Sequence, residues 1–365
     1  MNESVNSDKN SSVFKSFLNY NKDETGKENT LIIEKYRNKL GSGSDGTIFE
    51  VKVKGNNKLL AGKLISNIND KKKERLEMIQ ELQGHNIIKI EGLLNQTIKN
   101  EKYTMIIMEK AVLRDLGKLN YYYFSHNLLK LIHNPFEEYL GNNLMRFYCK
   151  QIIDAMEILK RNNYIHFDLK PENCLITYNL ILKLSDFSLL TKIKDIKESK
   201  IPGGTLGYMS REYYDKKALC KEDLQKQDYF ALGSTIFYLK YGENMLDYDK
   251  YDDNLMTKDR ITDLLHKRID FIKSRPCSEE DFNNFLLSLI QYNPNERPNF
   301  EQIYRNKWLN KNSDLIKSAV VCNDNDEEKL IAELQKTDFL NMKDKEKKEK
   351  NIMNKKFVFK KHKIM

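Results

Sequence analysis

The 365-residue sequence predicts an α+β protein with two unlike lobes: a small one built on an antiparallel sheet with one main helix, and a larger, mainly helical one. Strand-like alternation of apolar and polar residues is concentrated before residue 110, and helical spacing of apolar residues dominates after it. The composition, 40% hydrophobic and 32% charged, is that of an ordinary globular protein. No apolar stretch approaches the roughly 20 residues that cross a bilayer. We therefore expect neither a membrane-spanning chain nor a disordered or collagen-like one.

The small lobe is predicted from a succession of short elements. Residues 47–54 alternate between apolar and charged side chains, which is typical of a strand with one buried face. A Gly-Asn-Asn turn at 55–57 leads into a second strand at 59–65. A charged helix is expected at 71–83 and a further strand at 103–108. This order predicts an antiparallel sheet interrupted by one helix.

The large lobe is predicted from three segments with helical periodicity. Apolar residues recur at helical spacing in 144–159, 228–239 and 282–290, so each segment is expected to bury one face or more. The two lobes together span about 31–310, with the small lobe at about 31–108 and the large lobe at about 112–310.

The flanks differ in composition from the two lobes. Residues 1–30 are predicted to form a mobile arm that docks through a small apolar cluster at 13–18. Residues 311–365 form a Lys-rich tail. Ten Lys and only three acids lie between 343 and 363, so these 21 residues alone contribute +7 to the formal net charge of +9. The tail is expected to be a solvated charge run, with an anionic lipid or nucleic acid as a possible partner.

The cysteines and the N-terminus indicate where the chain resides. The five cysteines are dispersed and contain no C-x-x-C pair, so we expect free thiols and no disulfide partner. The first ten residues lack the apolar run of a secretory signal. An intracellular location, cytoplasmic or nuclear, is expected.

A glycine-rich segment precedes the first clear strand. Gly41, Gly43 and Gly46 have the G-x-G-x-x-G spacing that lets backbone amides approach phosphate oxygens. The match alone is weak, and it leads into a strand rather than into the helix of a dinucleotide site. Lys63 lies in the next predicted strand, where a buried charge needs a phosphate or carboxylate partner. A surface lysine on an edge strand is the alternative.

The strongest motif is the run 165–173 followed by 184–188. It brings together Asp168, Lys170, Asn173 and Asp186 around a short hairpin. Phosphoryl transfer needs this set: a carboxylate to accept a hydroxyl proton, carboxylate and amide oxygens for Mg²⁺, and cations to offset phosphate charge.

With these motifs the chain resembles a eukaryotic protein kinase of the Ser/Thr type over about residues 31–310. The matching pieces occur in the family's order and also include the segments 204–212, 228–233 and 295–298. The resemblance implies a two-lobed protein kinase fold that binds ATP and Mg²⁺ and phosphorylates protein substrates.

The resemblance also implies a role for each matched residue. Asp168 is the catalytic base, Lys170 steadies the γ-phosphate, and Lys63 contacts the α- and β-phosphates; Asn173 and Asp186 hold Mg²⁺. The remaining nucleotide-site positions are Gly41, Gly43, Gly46, Ile48, Ala61, Met108, Glu109, Ala111, Asp115 and Leu175. Glu212 and Arg297 match a structural ion pair.

The acid that should pair with Lys63 is less clearly marked. Glu74, Glu77 and Glu81 all lie on the predicted charged helix. Glu74 has Met78 one turn later, and the apolar stripe lies nearer Glu74 than Glu77. We therefore expect Glu74 to be the partner of Lys63.

Three positions depart from the family pattern. Phe167 replaces the Arg of H-R-D, so phosphorylation of the following loop, at Thr191 or Ser199, should matter less. Ser188 replaces the Gly of D-F-G, which should stiffen that segment. The run 210–212 keeps the acid of A-P-E but loses its Pro.

None of these departures removes a catalytic atom, so we expect an active protein Ser/Thr kinase. The alternatives are a nucleotide-binding pseudokinase scaffold and an adaptor that acts through its basic tail.

Asp115 and Glu172 match positions that meet basic residues upstream of the phosphoacceptor in basophilic kinases, so a mild preference for basic peptides is expected. Residues 117–141, rich in aromatics, are longer than the family requires and form either a docking surface or a cover for the large lobe.

Overall fold

The computed structural model describes residues 13–18, 31–43, 46–56, 58–66, 70–82, 84–118, 137–177, 180–196, 203–214, 221–246, 258–274 and 280–311. It confirms the predicted two-lobed α+β architecture. The greater part of the 117–141 insertion, Ser199 and the Lys-rich tail lie outside the described residues. None of the helices in the described part of the chain is long and apolar enough to cross a membrane.

The small lobe is a five-stranded antiparallel sheet with the order β1-β2-β3-β5-β4. The strands are β1 (Ile33–Gly43), β2 (Gly46–Val53), β3 (Leu59–Ser66), β4 (Ile90–Ile98) and β5 (Glu101–Glu109), and helix α1 (Asp70–Glu81) follows β3. The predicted strands and helix agree with β2, β3, β5 and α1 to within a few residues. β4 was not predicted, because its burial does not alternate cleanly along the strand.

The two faces of this sheet differ. Phe49, Val51 and Val53 point into an apolar core on one face. Their neighbours Ile48 and Glu50 therefore point to the opposite face, where the strand register places Lys63 beside Ile48. The side of the sheet that carries Lys63 faces the large lobe.

The apolar cluster at 13–18 packs into the core on the far face of the sheet. Residues 13–16 form a helical turn, and Val13, Phe14 and Phe17 are buried. The ring of Phe14 lies 4.4 Å from that of Phe49 between centroids. A Cβ at Gly62 would lie 3.3 Å from the Phe14 ring, so the glycine leaves room for this packing. The segment before residue 31 thus contributes to the core of the small lobe.

Replacing Phe14 with Ala is expected to destabilise the protein by about 3–5 kcal/mol, because a fully buried ring leaves a cavity that the sheet cannot fill. Thermal or urea unfolding would measure the loss. Lys15→Ala, an exposed change in the same turn, should leave the midpoint unchanged. Equal midpoints for the two variants would contradict the packing role of Phe14.

The large lobe is built around two long helices. Its helices are α2 (Glu137–Arg161), α3 (Arg211–Tyr214), α4 (Lys221–Tyr241), α5 (Lys258–Ser274), α6 (Glu280–Leu289), α7 (Phe300–Tyr304) and α8 (Lys307–Asn310). Helices α2 and α4 supply many side chains of the largest apolar core, including Ile152, Phe230 and Phe237. Cys149 and Cys174, both buried in this core, are free thiols, as the sequence predicts.

Four short strands at the junction of the lobes position the loops of the site. β6 (Tyr164–Ile165) pairs with β9 (Thr191–Lys192), and β7 (Cys174–Ile176) pairs with β8 (Leu182–Leu184). The backbone amide of Ile88, between α1 and β4, donates to the carbonyl of Leu184 at 2.9 Å. This ties the small lobe to the β7–β8 hairpin.

Candidate active site

The loop after β6 is held to helix α4 by one buried acid. Asp228 accepts hydrogen bonds from the backbone amides of His166 at 2.7 Å and Phe167 at 3.0 Å. Phe167 adopts a positive φ of 65°, an unusual conformation for a bulky residue. The Asp228 carboxylate thereby stabilises a strained turn that immediately precedes Asp168.

Asp168 is a buried carboxylate surrounded by donors. Its Oδ1 accepts from the amide of Thr205 at 3.0 Å and from the Thr205 hydroxyl at 2.6 Å. Its Oδ2 lies 3.0 Å from the side-chain nitrogen of Asn173 and 2.9 Å from Nζ of Lys170. Lys170 also donates to the Thr205 hydroxyl at 2.6 Å. Both oxygens of Asp168 are therefore fixed in position by its neighbours.

Asp186 lies two residues after the end of β8, and its side chain faces Lys63. Its backbone is in the left-handed region, with φ 55° and ψ 70°, and its Oδ1 lies 3.5 Å from Nζ of Lys63. Burial acts to raise the pKa of Asp186. The charges of Lys63 and His166, together with hydrogen bonds from Ser188 and Lys63, outweigh burial and hold this pKa below its ordinary value. Asp186 is therefore ionised at neutral pH.

Asn173 and Asp186 fit a magnesium ion that is shared with a phosphate group. The side-chain nitrogen of Asn173 donates to the backbone carbonyl of Asp168 at 2.7 Å. The side-chain oxygen of Asn173 takes no part in this bond. Carboxylate and amide oxygens are hard ligands of the kind that Mg²⁺ takes, in small number, alongside phosphate and water. In the described part of the chain no three or more His, Cys, Asp or Glu residues form a metal cluster. A cation here would take its other ligands from the nucleotide.

The underside of the sheet forms the other wall of the site. Ile48 lies opposite Lys63, and Ala61 lies opposite Met108, in adjacent strand pairs. Residues paired across antiparallel strands share a face, so these side chains lie on the same side of the sheet as the lysine. Met108 and Leu175 both pack against the core of the large lobe. Three of the apolar positions predicted to contact a base therefore lie on the face of the sheet that carries Lys63, and the fourth, Leu175, lies in the β7–β8 hairpin.

The glycine-rich segment is the hairpin between β1 and β2. Gly41 lies opposite Ile48, and Gly43 lies opposite Gly46. Gly46 has a φ of 140°, and a Cβ there would lie 2.1 Å from the carbonyl oxygen of Leu64. Only glycine fits this position without displacing the backbone of β3. The tip of the hairpin, residues 44 and 45, lies outside the described residues.

The connection between the lobes carries two ion pairs, Glu109 with Lys183 and Asp115 with Lys118. The Glu109 carboxylate lies 3.2 Å from Nζ of Lys183, and it accepts from the amide of Lys89 at 2.7 Å. Ala111 lies half-buried in the connection that follows. Asp115, beyond it, accepts from the amide of Lys118 at 2.9 Å and pairs with its Nζ at 3.2 Å. The Asp115 carboxylate is thus partly neutralised by Lys118.

The structure does not bring Glu74 to Lys63, which corrects the expected ion pair. Glu74 is exposed, as are Glu77 and Glu81, and Lys63 pairs with Asp186 instead. Among the described side chains of α1, that of Arg75 reaches the segment after Asp186, where its Nη1 donates to the backbone carbonyl of Ser188. The position of the apolar stripe did not identify a partner for Lys63.

Two residues of the site, Asp228 and Arg75, had no role assigned from the sequence. Like Thr205, they contact the catalytic segments from distant parts of the chain. An acid within an otherwise apolar helical segment could have marked Asp228, because such a group needs a buried partner. No comparable local pattern marks Arg75.

The predicted pair of Glu212 and Arg297 is present behind the site. Nη2 of Arg297 donates to Glu212 Oε2 at 2.8 Å, and Nη1 donates to Oε1. Nε of Arg297 donates to the carbonyl of Gln291 at 2.9 Å. The pair joins α3 to the segment after α6 and supports the end of the loop that carries Thr205.

Phe167 lies in a small apolar cluster with Ile165, Ile196 and Leu224. Tyr213 packs against this cluster, with its ring 6.4 Å from that of Phe167. Leu189, Ile193 and Ile196, which follow Asp186, are thus held near residue 167 by apolar contacts. An arginine at this position would instead offer a charge to a phosphate group.

Comparison with known proteins places the site within a recognised domain. The family model for the protein kinase domain matches residues 35–309. The Aurora kinase of Saccharomyces cerevisiae is 26% identical over 283 residues, which cover 75% of this chain and 68% of that protein. The serine/threonine-protein kinase MRCK beta of Rattus norvegicus is 24% identical over 263 residues, covering 66% of this chain but only 14% of that protein.

A third relative is the serine/threonine-protein kinase atg1 of Dictyostelium discoideum, 25% identical over 254 residues, which cover 69% of this chain and 33% of that protein. The chain therefore spans about two thirds of the length of the first of these relatives and a third or less of the other two. The similarity covers the two lobes that form the cleft.

Proposed function

Because the chain belongs to the protein kinase domain family, we propose that it is an ATP-dependent serine/threonine kinase that transfers the γ-phosphate to hydroxyl groups of proteins. The observation that carries this proposal is that Lys63 pairs with Asp186 and Asn173 bonds to Asp168 at the junction of the lobes. The two pairs are held close together, because the amide of Ser185, next to Asp186, donates to the carbonyl of Asn173 at 2.8 Å. The names of the relatives as serine/threonine kinases support the same reaction. An intracellular setting suits the free thiols.

The residues divide the work of the transfer. Asp168 orients the substrate hydroxyl and accepts its proton, and Lys170, beside it, offsets charge on the transferring group. Lys63 binds phosphate oxygens from the sheet side of the cleft. Asn173 and Asp186 would hold Mg²⁺, which supplies charge neutralisation between the phosphates when it is bound. Catalysis in this scheme rests on positioning and electrostatics.

The acids near the cleft favour a substrate with a basic residue close to its hydroxyl. Burial raises the pKa of Glu172, and the neighbouring carboxylates of Asp115 and Asp168 raise it further against the opposing effect of Lys170. A cationic side chain of a substrate would relieve this repulsion. We therefore propose a preference for peptides with Arg or Lys upstream of the phosphoacceptor.

Transfer of label from γ-labelled ATP tests the function. In the presence of Mg²⁺, the full chain should label serine in a peptide that has arginines upstream of that serine. It should label the same peptide less when these arginines are replaced by alanine. Omission of Mg²⁺ should abolish transfer. Absence of label on every peptide and generic protein substrate, with nucleotide still bound, would contradict the kinase activity.

A nucleotide-binding scaffold without transfer is the second candidate function. The observation that favours it is that Lys63 is paired with Asp186 and not with Glu74, which is exposed. Both candidates require nucleotide binding, so only the transfer assay separates them.

Replacing Thr191 with Ala is expected to retain most of the transfer activity. Thr191 lies in β9, and its hydroxyl donates to the carbonyl of Leu189 at 2.9 Å. The apolar cluster around Phe167 holds this segment without a phosphate group. A radiolabel assay of the purified variant measures the effect. Near-complete loss of activity would show that the segment depends on a modified hydroxyl.

A further inference from the structure

Arg75 is set apart from the other charged residues described on helix α1. Glu74, Glu77 and Glu81 are exposed, whereas Arg75 is half-buried and its Nη1 donates to the backbone carbonyl of Ser188. Burial lowers the pKa of this guanidinium, as expected when a cation loses part of its water. A long cation that leaves solvent in this way must gain a specific contact in return.

The contact that Arg75 makes is two residues from Asp186. The segment Phe187–Leu189 forms a single turn of 3₁₀ helix directly after Asp186. Lys63 approaches the Asp186 carboxylate from β3, at 3.5 Å. Ser188 lies in the turn that directly follows Asp186, so the bond from Arg75 holds the backbone of this turn.

Two further contacts hold α1 against the large lobe. The hydroxyl of Tyr164, in β6, donates to the sulfur of Met78 at 3.1 Å. Ile79 and Leu82 are buried in the main core of the large lobe. A helix seated in this way provides a fixed base from which Arg75 can act on the segment that follows Asp186.

We propose that Arg75 is a positioning residue that links α1 to the metal-binding segment through Ser188, and so fixes Asp186 for its cation. This rests on the proposed function, since it assumes that Asp186 binds Mg²⁺ with a nucleotide. The link takes the place of the ion pair between Lys63 and a helix carboxylate, which the structure does not contain among its described residues. The position of α1 then acts on Asp186 through the backbone at Ser188 and not through Lys63.

The test compares Arg75→Gln with Glu77→Gln, a matched change at an exposed position of the same helix. Binding of a fluorescent ADP analogue to the full chain is titrated with Mg²⁺, and thermal unfolding is measured in parallel. Arg75→Gln should raise the half-saturating Mg²⁺ concentration about 10-fold, as loss of a group supporting a metal ligand does. Nucleotide binding without Mg²⁺ and the unfolding midpoint should stay near those of the wild type.

A third variant tests the donor chemistry. Arg75→Lys retains a cationic donor and should recover part of the Mg²⁺ affinity, whereas Glu77→Gln should match the wild type. Equal Mg²⁺ dependence of Arg75→Gln and Glu77→Gln would overturn the link while leaving the proposed function intact. A fall in unfolding midpoint without a change in Mg²⁺ dependence would make Arg75 merely structural. If the wild type shows no Mg²⁺-dependent nucleotide binding, the proposed function itself fails, and the link fails with it.

Discussion

Replacing Asp168 with Asn is expected to lower phosphate transfer by about 10²–10⁴-fold, the usual contribution of a positioned general base. Asn has nearly the same shape, so it fits the same buried space. Oδ1 and Oδ2 of Asp168 accept from Thr205, Asn173 and Lys170, and an amide presents one acceptor oxygen where the carboxylate presents two. The variant loses both the negative charge and the atom that accepts the hydroxyl proton.

The measurement is label transfer from γ-labelled ATP to an arginine-containing peptide, with nucleotide affinity determined on the same preparations. Nucleotide affinity should change little, because the nucleotide cation is assigned to Asn173 and Asp186. The exposed change Asp270→Asn in α5 provides a control with the same alteration of charge and should retain full activity. An Asp168→Asn variant that transfers label at the wild-type rate would remove Asp168 from the mechanism.

The parts of the site that could be predicted are those carried by a single short run of sequence. Asp168, Lys170 and Asn173 lie within six residues, so their chemistry is legible before the fold is known. Thr205 lies 37 residues from Asp168 and supplies two of its hydrogen bonds. That contact arises only when the loop after β9 returns to the cleft, and no local pattern encodes it.

The fold shows the same division between local and long-range information. Alternation predicts β2, one face of which is almost fully buried, and the turn at 55–57 predicts β3, whose central residues are buried on both faces. It fails for β4, whose residues are partly buried on both faces. Eight of the twelve residues of α1 are charged, so periodicity identifies the inward stripe but not whether Glu74 or its neighbour Arg75 turns toward the site. That choice depends on the Ser188 carbonyl, a partner contributed by the other lobe.

The buried pair of Glu212 and Arg297 is a second site where a single substitution should cost much stability. The Arg297 side chain is fully buried at 0% exposure, and that of Glu212 is 10% exposed. Beyond the pair, Arg297 donates to two backbone carbonyls, those of Gln291 and Lys226, at 2.9 and 3.2 Å. Its removal therefore leaves two carbonyls without this donor, and it leaves a largely buried carboxylate without its cation and with the Ser210 hydroxyl, at 2.6 Å, as a remaining donor.

Replacing Arg297 with Met is expected to lower the free energy of unfolding by about 3–5 kcal/mol, the cost of leaving a buried charge unpaired. The double variant with Glu212→Leu should recover part of this loss, because it also removes the stranded carboxylate. Arg305→Met supplies the contrast: Arg305 pairs with Glu301, but the two side chains are 79% and 61% exposed, so its loss should stay within about 1 kcal/mol. Urea unfolding of the wild type, the two single variants and the double variant measures these differences in the free energy of unfolding. Similar losses of stability for Arg297→Met and Arg305→Met would mean that burial does not set the strength of the ion pair. A double variant less stable than Arg297→Met would mean that the unpaired Glu212 carboxylate is not the source of the lost stability.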